Sequence, residues 1–178
     1  TIPNMTVIVP SDSVETRAVI HAVSKMDGPV YVRLGRLAVP VINDEKSYKF
    51  EMGKGVVLNK GDDATIITTG LMVGEALEAA GELETRGIKA RVINMHTIKP
   101  IDENLIIEAA KETGAIVTAE EHNIIGGLGS AVAEVIGENH PVPLKRIGIK
   151  DTFGESGKPA ELMKKYGLTS DGIVKAVI

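Results

Sequence analysis

Short apolar runs alternate with amphipathic segments along the whole chain, and this alternation constrains the fold more than any other feature. Residues 5–9 form a β-branched, apolar run that is typical of a buried strand. Asp12 and Glu15 have the spacing of a capping box, which predicts a helix to about Lys25. Residues 30–34 form the next apolar run. The pattern predicts a β-α-β unit with parallel strands and a right-handed connection.

The alternation continues to the C-terminus. Helices with Gly or polar boundaries are predicted between and after strands at 55–58, 64–69, 89–95, 115–121 and 143–149. The short polar connection 59–63 favours an antiparallel hairpin between the first two of these strands. We therefore expect the α/β class. The predicted architecture is a three-layer αβα sandwich, with a mostly parallel sheet, an antiparallel edge strand and helices on both faces.

Residues 37–50 lack the alternation of apolar and amphipathic segments and are predicted to be a linker. They contain Pro40 and a polar run at 43–47, and they show no sustained period. The chain is therefore expected to divide into residues 1–36, a linker at 37–50 and a domain at 51–178. Its abrupt start at Thr1, almost directly before a strand-like run, suggests a piece of a longer polypeptide.

The composition argues against several kinds of partner. The chain has 20 basic and 24 acidic residues and a net charge of −4, which is unfavourable for binding nucleic acid. No apolar run approaches the roughly 20 residues that a membrane-spanning helix needs. The absence of Cys rules out disulfides and Cys-based zinc sites. It also fits a reducing compartment, so a cytoplasmic location is expected.

Three polar residues at the end of the predicted strand 115–121 are candidates for chemistry. In open α/β sheets, the carboxyl ends of the strands line the ligand crevice. Adjacent strand residues point to opposite faces, so Glu120 and Glu121 are not expected to form an acid/base pair. His122 could donate a proton in a cleft, but a hydrogen bond within the loop is the favoured interpretation.

The glycine cluster at 126–130 opens a predicted helix, whose N-terminus could hold an anion. It is not the dinucleotide fingerprint, because Val132 stands where the third Gly is required. Close packing of helix and sheet is the favoured interpretation. The four histidines, which are His21, His96, His122 and His140, lack the local spacing of metal ligands.

Arg33 and Arg36 lie near the carboxyl end of the predicted strand 30–34. A guanidinium group is a planar fork that suits phosphate. From the residues alone, a surface ion pair is the favoured interpretation of both.

Four segments, in order, resemble the transketolase family. Residues 2–12, I-P-N-M-T-V-I-V-P-S-D, with Glu15-Thr16 after them, are similar to the family's I-P-N-x-x-V-x-x-P-A-D and E-T. Residues 28–36 resemble the close of its pyrimidine-binding domain. Residues 92–102 resemble x-x-M-x-T-I-K-P-L-D, and residues 120–132 resemble E-E-H-x-x-x-G-G-L-G-S-A-V. The compact form most resembles the C-terminal subunit of split, two-subunit transketolases.

The resemblance implies that residues 1–36 end a thiamine-diphosphate pyrimidine-binding domain and that residues 51–178 are a transketolase C-terminal domain. The family transfers a two-carbon ketol unit between sugar phosphates, as in the pentose phosphate pathway, with thiamine diphosphate and Mg²⁺. Arg36 matches the family's Arg that contacts substrate phosphate, and it is the one site residue that the resemblance implies. Gly35 stands where transketolases usually have Ser, so a hydroxyl is lost.

No catalytic, cofactor-binding or metal-binding residue is expected in this chain, since the family's activating glutamate and its G-D-G…N-N motif are absent. The chain alone is expected to be inactive and to assemble. Its expected partners are a second copy and the diphosphate-binding domain or subunit of the same enzyme.

Two alternatives stay open. A 1-deoxyxylulose-5-phosphate synthase would show R-Y-P-R-G, of which residues 33–37 keep both Arg residues and lose the Tyr, Pro and Gly, while Glu120-Glu121-His122 favours transketolase. The other is a non-catalytic ligand-binding or assembly module.

Overall fold

A computed structural model describes residues 1–36 and 38–178 and has two sheets. Leu37, the first residue of the predicted linker, lies outside the described residues. The first sheet has the order β2-β1-β6 and the second has the order β3-β5-β4-β7-β8. The elements are β1 (Thr6–Ile8), α1 (Ser13–Val23), β2 (Val30–Val32), β3 (Val56–Asn59), β4 (Ala64–Thr68), α2 (Met72–Thr85), β5 (Ala90–Asn94), β6 (Thr97–Lys99), α3 (Glu103–Thr113), β7 (Ile116–Asn123), α4 (Leu128–Asn139), β8 (Leu144–Ile149), α5 (Pro159–Tyr166) and α6 (Ser170–Val177).

The five-stranded sheet lies between two layers of helices, which confirms the predicted three-layer sandwich. Successive residues of β4 point to opposite faces. Ile66 packs with the core residues of α2 and α6, and Ile67 packs with those of α3 and α4. All five residues of β4 are buried. This strand therefore needs helices packed on both of its faces and a hydrogen-bonded strand on each of its edges.

The predicted hairpin between residues 55–58 and 64–69 is wrong, although the antiparallel edge strand is confirmed. β3 pairs antiparallel with β5, and β4 pairs parallel with β5 and β7. The connection between β3 and β4 passes over the start of β5, where the Asp63 N–H donates to the Lys89 carbonyl at 3.1 Å. A Cβ on Gly61 would lie 2.3 Å from that same carbonyl oxygen. The fully buried β4 takes a central position, and β3, which is partly exposed, takes the edge.

Strand β6, which the sequence patterns did not predict, joins the two sheets. The chain leaves β5 and turns into β6, which pairs antiparallel with β1. The Val9 N–H donates to the His96 carbonyl at 2.8 Å, and the Thr69 hydroxyl donates to the Val9 carbonyl at 3.1 Å. The N-terminal β-α-β unit, whose strands are parallel as predicted, is therefore bonded directly to the second sheet. No described helix is long and apolar enough to cross a bilayer.

Candidate functional site

Two cavities flank the chain that follows β2. A cavity of about 200 Å³ lies between the two sheets and is lined by residues of β1 and β2 and by Glu120, Glu121 and His122 of β7. A wider cavity of about 470 Å³ runs along the start of α1. Arg33 lines both cavities, which places the carboxyl end of β2 at the centre of the candidate site.

Glu120 and Glu121 face different partners, as the strand alternation predicts. Glu121 accepts a hydrogen bond from Arg33, at 3.0 Å between Nη2 and Oε2. Glu120 is almost fully buried and accepts from the backbone N–H groups of Leu128 and Gly129, both at 2.8 Å. The two carboxyl groups therefore do not form an acid/base pair.

The Glu120 carboxyl group occupies the N-terminus of α4, which the glycine cluster opens and which could otherwise hold an anion. A Cβ on Gly127 would lie 2.0 Å from the Glu120 Oε2 atom and 2.8 Å from the main-chain carbonyl oxygen of Asn123, so Gly is required there. Burial raises the pKa of Glu120, and the two N–H bonds oppose this rise. The protein supplies its own anion to α4, so this structure does not support an external ligand at that position.

His122 is exposed, and its Nδ1 lies 3.1 Å from the Asn123 carbonyl oxygen. The predicted hydrogen bond to a neighbouring main-chain group is present, but His122 lies in β7, which runs two residues further than predicted, and not in a loop. His96, by contrast, is fully buried beside Phe50, and its Nε2 has no hydrogen-bond partner. Across residues 1–36 and 38–178, no three His, Cys, Asp or Glu side chains come together as a possible metal site.

Arg36 is exposed and directly follows Arg33, Leu34 and Gly35, which line the 470 Å³ cavity. That cavity also contains Arg17 and Ser13, at the start of α1. The role of Arg36 in binding substrate stays a prediction.

A buried polar cluster behind this cavity was not predicted. Glu15 is fully buried and accepts hydrogen bonds from the Ser11 N–H at 2.6 Å and the Ser11 hydroxyl at 2.8 Å. It also accepts from the Tyr48 hydroxyl and from Asn94 Nδ2, the latter at 3.0 Å. In a capping box, the Glu15 side chain would accept from the N–H group of the N-cap residue, Asp12. Here it accepts instead from the N–H group of Ser11, one residue earlier. The donor residues Ser11, Tyr48 and Asn94 are far from one another in the sequence, so a local sequence pattern could not predict this cluster.

Asp12, the predicted N-cap of α1, also ties the helix to residues 42–43. One carboxyl oxygen accepts from the Glu15 N–H at 2.8 Å, and the other accepts from the N–H groups of Ile42 at 2.9 Å and Asn43 at 2.8 Å. Burial opposes the charged form, but these N–H bonds outweigh it and hold the pKa of Asp12 below its usual value. The Asp12 carboxylate therefore caps α1 and also holds the main chain at residues 42–43 against the start of that helix.

Replacing Asp12 with Asn should lower the free energy of unfolding by about 1–3 kcal/mol at pH 7. The pKa of Asp12 is lower in the folded state than in the unfolded state, so its stabilisation is present above the usual Asp value of about 3.9 and is lost as the pH falls through the folded value. Urea denaturation at pH 7, 5 and 3 should show a difference that shrinks at the lowest pH. A constant difference would contradict this role, and the exposed Asp62→Asn is the control.

Comparison with known proteins places this chain in a family. Residues 53–173, more than half of the chain, match the family described as transketolase, C-terminal domain. The chain belongs to the transketolase family. This transketolase chain is 51% identical over 175 residues to the 6-deoxy-6-sulfo-D-fructose transketolase subunit SqwH of Clostridium sp. (strain MSTE9), covering 98% of this chain and 54% of that protein.

A solved transketolase chain has the same fold. It is described as a split gene transketolase, inactive beta4 tetramer, and the match has a TM-score of 0.96 at 51% identity, covering 99% of this chain and 58% of that one. The 1-deoxy-D-xylulose-5-phosphate synthase of Heliobacterium modesticaldum (strain ATCC 51547 / Ice1) is 40% identical over 176 residues, covering 98% of this chain and 27% of that protein. The chain spans about half the length of its transketolase relatives.

Proposed function

We propose that this chain is the C-terminal section of a split transketolase, which transfers a two-carbon ketol unit between sugar phosphates. The observation that carries this proposal is the match of 51% identity, over 98% of the chain, to a transketolase subunit. The motifs at residues 2–12, 92–102 and 120–132 lie in β1, at the β5–β6 connection and at the β7–α4 connection. They therefore build the junction of the two sheets. Since the chain has no Cys, we place the reaction in the cytoplasm.

We propose that this chain does not hold thiamine diphosphate or Mg²⁺ by itself. The part of the chain that the structure describes has no cluster of carboxylate or His ligands for a cation. We propose that the complete enzyme binds both groups elsewhere, where thiamine diphosphate supplies the carbanion carrier. The isolated chain is then inactive, and it helps to assemble the enzyme.

The proposed partners are a second copy of this chain and the diphosphate-binding domain or subunit of the same enzyme. Two relatives support assembly: one is described as a subunit and the other as a beta4 tetramer. We propose a homodimer as the basic unit. In it, this chain contributes the part of the substrate-binding site that contains Arg36.

Arg36 is proposed to bind the anionic group at the far end of the sugar. Arg36 is exposed and directly follows Leu34 and Gly35, which line the 470 Å³ cavity. A guanidinium group suits the oxygens of a phosphate. A terminal sulfonate is the second candidate, because the relative that is 51% identical is described as acting on a sulfo-sugar. Both groups present oxygens with the same tetrahedral geometry.

Replacing Arg36 with Ala in the complete, assembled enzyme should lower kcat/KM for a phosphorylated ketose donor by about 10²–10³-fold, because charge-assisted hydrogen bonds are lost. The unphosphorylated donor should be unaffected, and a donor with a terminal sulfonate tests the second candidate. Steady-state kinetics with the three donors is the measurement, and the exposed Arg86→Ala is the control. An equal loss with the unphosphorylated donor would contradict anion binding by Arg36.

A 1-deoxy-D-xylulose-5-phosphate synthase remains the alternative enzyme, since one such synthase is 40% identical. The lower identity and the loss of Tyr, Pro and Gly around Arg33 and Arg36 favour transketolase.

A further inference from the structure

Arg33 bridges the carboxyl ends of two strands from different sheets. Its Nη2 atom donates to the Glu121 carbonyl oxygen at 2.8 Å and to Glu121 Oε2 at 3.0 Å. Its own backbone N–H donates to the Ile8 carbonyl at 2.8 Å. The main chain of Arg33 is thus held by β1, and its side chain is held by β7.

The environment of this pair makes the bridge more rigid than a surface ion pair. The side chains of Arg33 and Glu121 are 29% and 33% exposed, whereas those of the Arg17–Glu45 pair are 68% and 66% exposed. Screening by solvent and salt weakens as burial increases. The second bond, to a main-chain oxygen, also fixes the guanidinium plane against the end of β7.

Arg36 follows this anchor by three residues. β2 ends at Val32, and Leu34, Gly35 and Arg36 are exposed. Nothing lies within 4 Å of the point where a Cβ on Gly35 would stand. Arg33 is the last residue before Arg36 whose main chain and side chain are both held by the sheets, so the path of the chain toward Arg36 starts from this bridge.

We infer that the Arg33–Glu121 bridge is a positioning device that sets where Arg36 stands and so tunes the affinity for the anionic end of the substrate. Arg33 and Glu121 act through the backbone of residues 34–35, as positioning residues that need not touch the substrate. This inference rests on the proposed function. If the guanidinium group of Arg36 is shifted from its position, the substrate is bound more weakly even though the side chain is intact.

The test uses the complete subunit, assembled with its diphosphate-binding partner and supplied with thiamine diphosphate and Mg²⁺. The variants are Glu121→Ala, Arg33→Met and the double substitution. The matched surface pair, called the α2 control pair, is Glu82→Ala in α2 and Arg86→Met at the C-cap of that helix. Each bridge variant should raise KM for the phosphorylated donor about threefold to tenfold. The kcat value and the KM for the unphosphorylated donor should not change. Arg33→Met removes both bonds to Glu121, whereas Glu121→Ala removes only the bond to the carboxylate. The double variant should therefore be no worse than Arg33→Met alone.

Three results would overturn the inference. KM that rises equally for both donors would mean a general structural role. A phosphate-selective effect of Arg33→Met with none from Glu121→Ala would mean that the ion pair with the Glu121 carboxylate does not position Arg36. An effect of the α2 control pair equal to that of the bridge would mean that the change is not local. If Arg33→Met fails to fold, Arg33→Lys, which cannot make the same planar contacts, should give the same phosphate-selective rise.

The wild-type assay separates this inference from the proposed function. Absence of ketol transfer by the wild-type assembly would overturn the proposed function, and the inference with it. Normal wild-type transfer, with unaltered KM in both bridge variants, would overturn the inference alone.

Discussion

Replacing Glu15 with Leu is expected to lower the free energy of unfolding by about 3–5 kcal/mol, which exceeds the loss expected for Asp12→Asn. Glu15 is fully buried, and its carboxyl oxygens accept from Ser11, Tyr48 and Asn94. Leu has a similar size but accepts nothing, so these donors would be buried without partners. A loss of this size is a large part of the stability of an ordinary domain.

Urea denaturation, followed by circular dichroism, measures the effect. Tyr48→Phe removes one donor and leaves the carboxyl group in place, so it should cost only about 1–2 kcal/mol. This milder variant keeps the prediction testable if Glu15→Leu does not fold. Glu45→Leu is the control, because that carboxylate is exposed and pairs with Arg17 at the surface. A cost for Glu15→Leu no larger than that for Glu45→Leu would show that the cluster does not hold the fold together.

Helix boundaries and most strands could be predicted from the sequence because their causes are local. Asp12, Asp102 and Thr169 each accept from the N–H group three residues ahead, as their positions predict. Gly114 and Gly167 end their helices in the left-handed conformation that glycine favours. Each of these signals depends on a few neighbouring residues.

Strand pairing could not be predicted in the same way. The connection 59–63 is short enough for a hairpin, and only the burial of β4 on both faces explains why β5 lies between β3 and β4. β6 has three residues and no period that could show in a sequence. Partner choice depends on the whole sheet, which a local pattern does not contain.

In the candidate site, too, the local features could be predicted and the contacts between distant residues could not. Strand alternation correctly separated Glu120 from Glu121, but nothing local indicated that Glu120 would cap α4 or that Glu121 would meet Arg33, which lies 88 residues away. The role of Arg36 came from the family resemblance alone. An acidic residue at a strand end followed by a Gly-rich helix start is a signal that could have suggested the internal cap.

The complete enzyme is expected to gain activity only on assembly, and this is the second large effect. The proposed function assigns the binding of thiamine diphosphate and Mg²⁺ to other parts of the complete enzyme. On that proposal the isolated chain should show no ketol transfer at any concentration of thiamine diphosphate. Ketol transfer requires the cofactor to be held in a fixed geometry against the substrate. The complete subunit mixed with its diphosphate-binding partner should be active. Omission of the partner and omission of thiamine diphosphate are the two controls.

The most direct measurement is therefore transfer of the two-carbon unit from a ketose phosphate to an aldose phosphate acceptor, followed by detection of both sugar products. We expect product formation by the mixed subunits that depends on thiamine diphosphate and Mg²⁺, with none from this chain alone. Catalysis by the isolated chain would contradict the proposed function, as would a correctly assembled, cofactor-loaded complex that transfers no ketol unit.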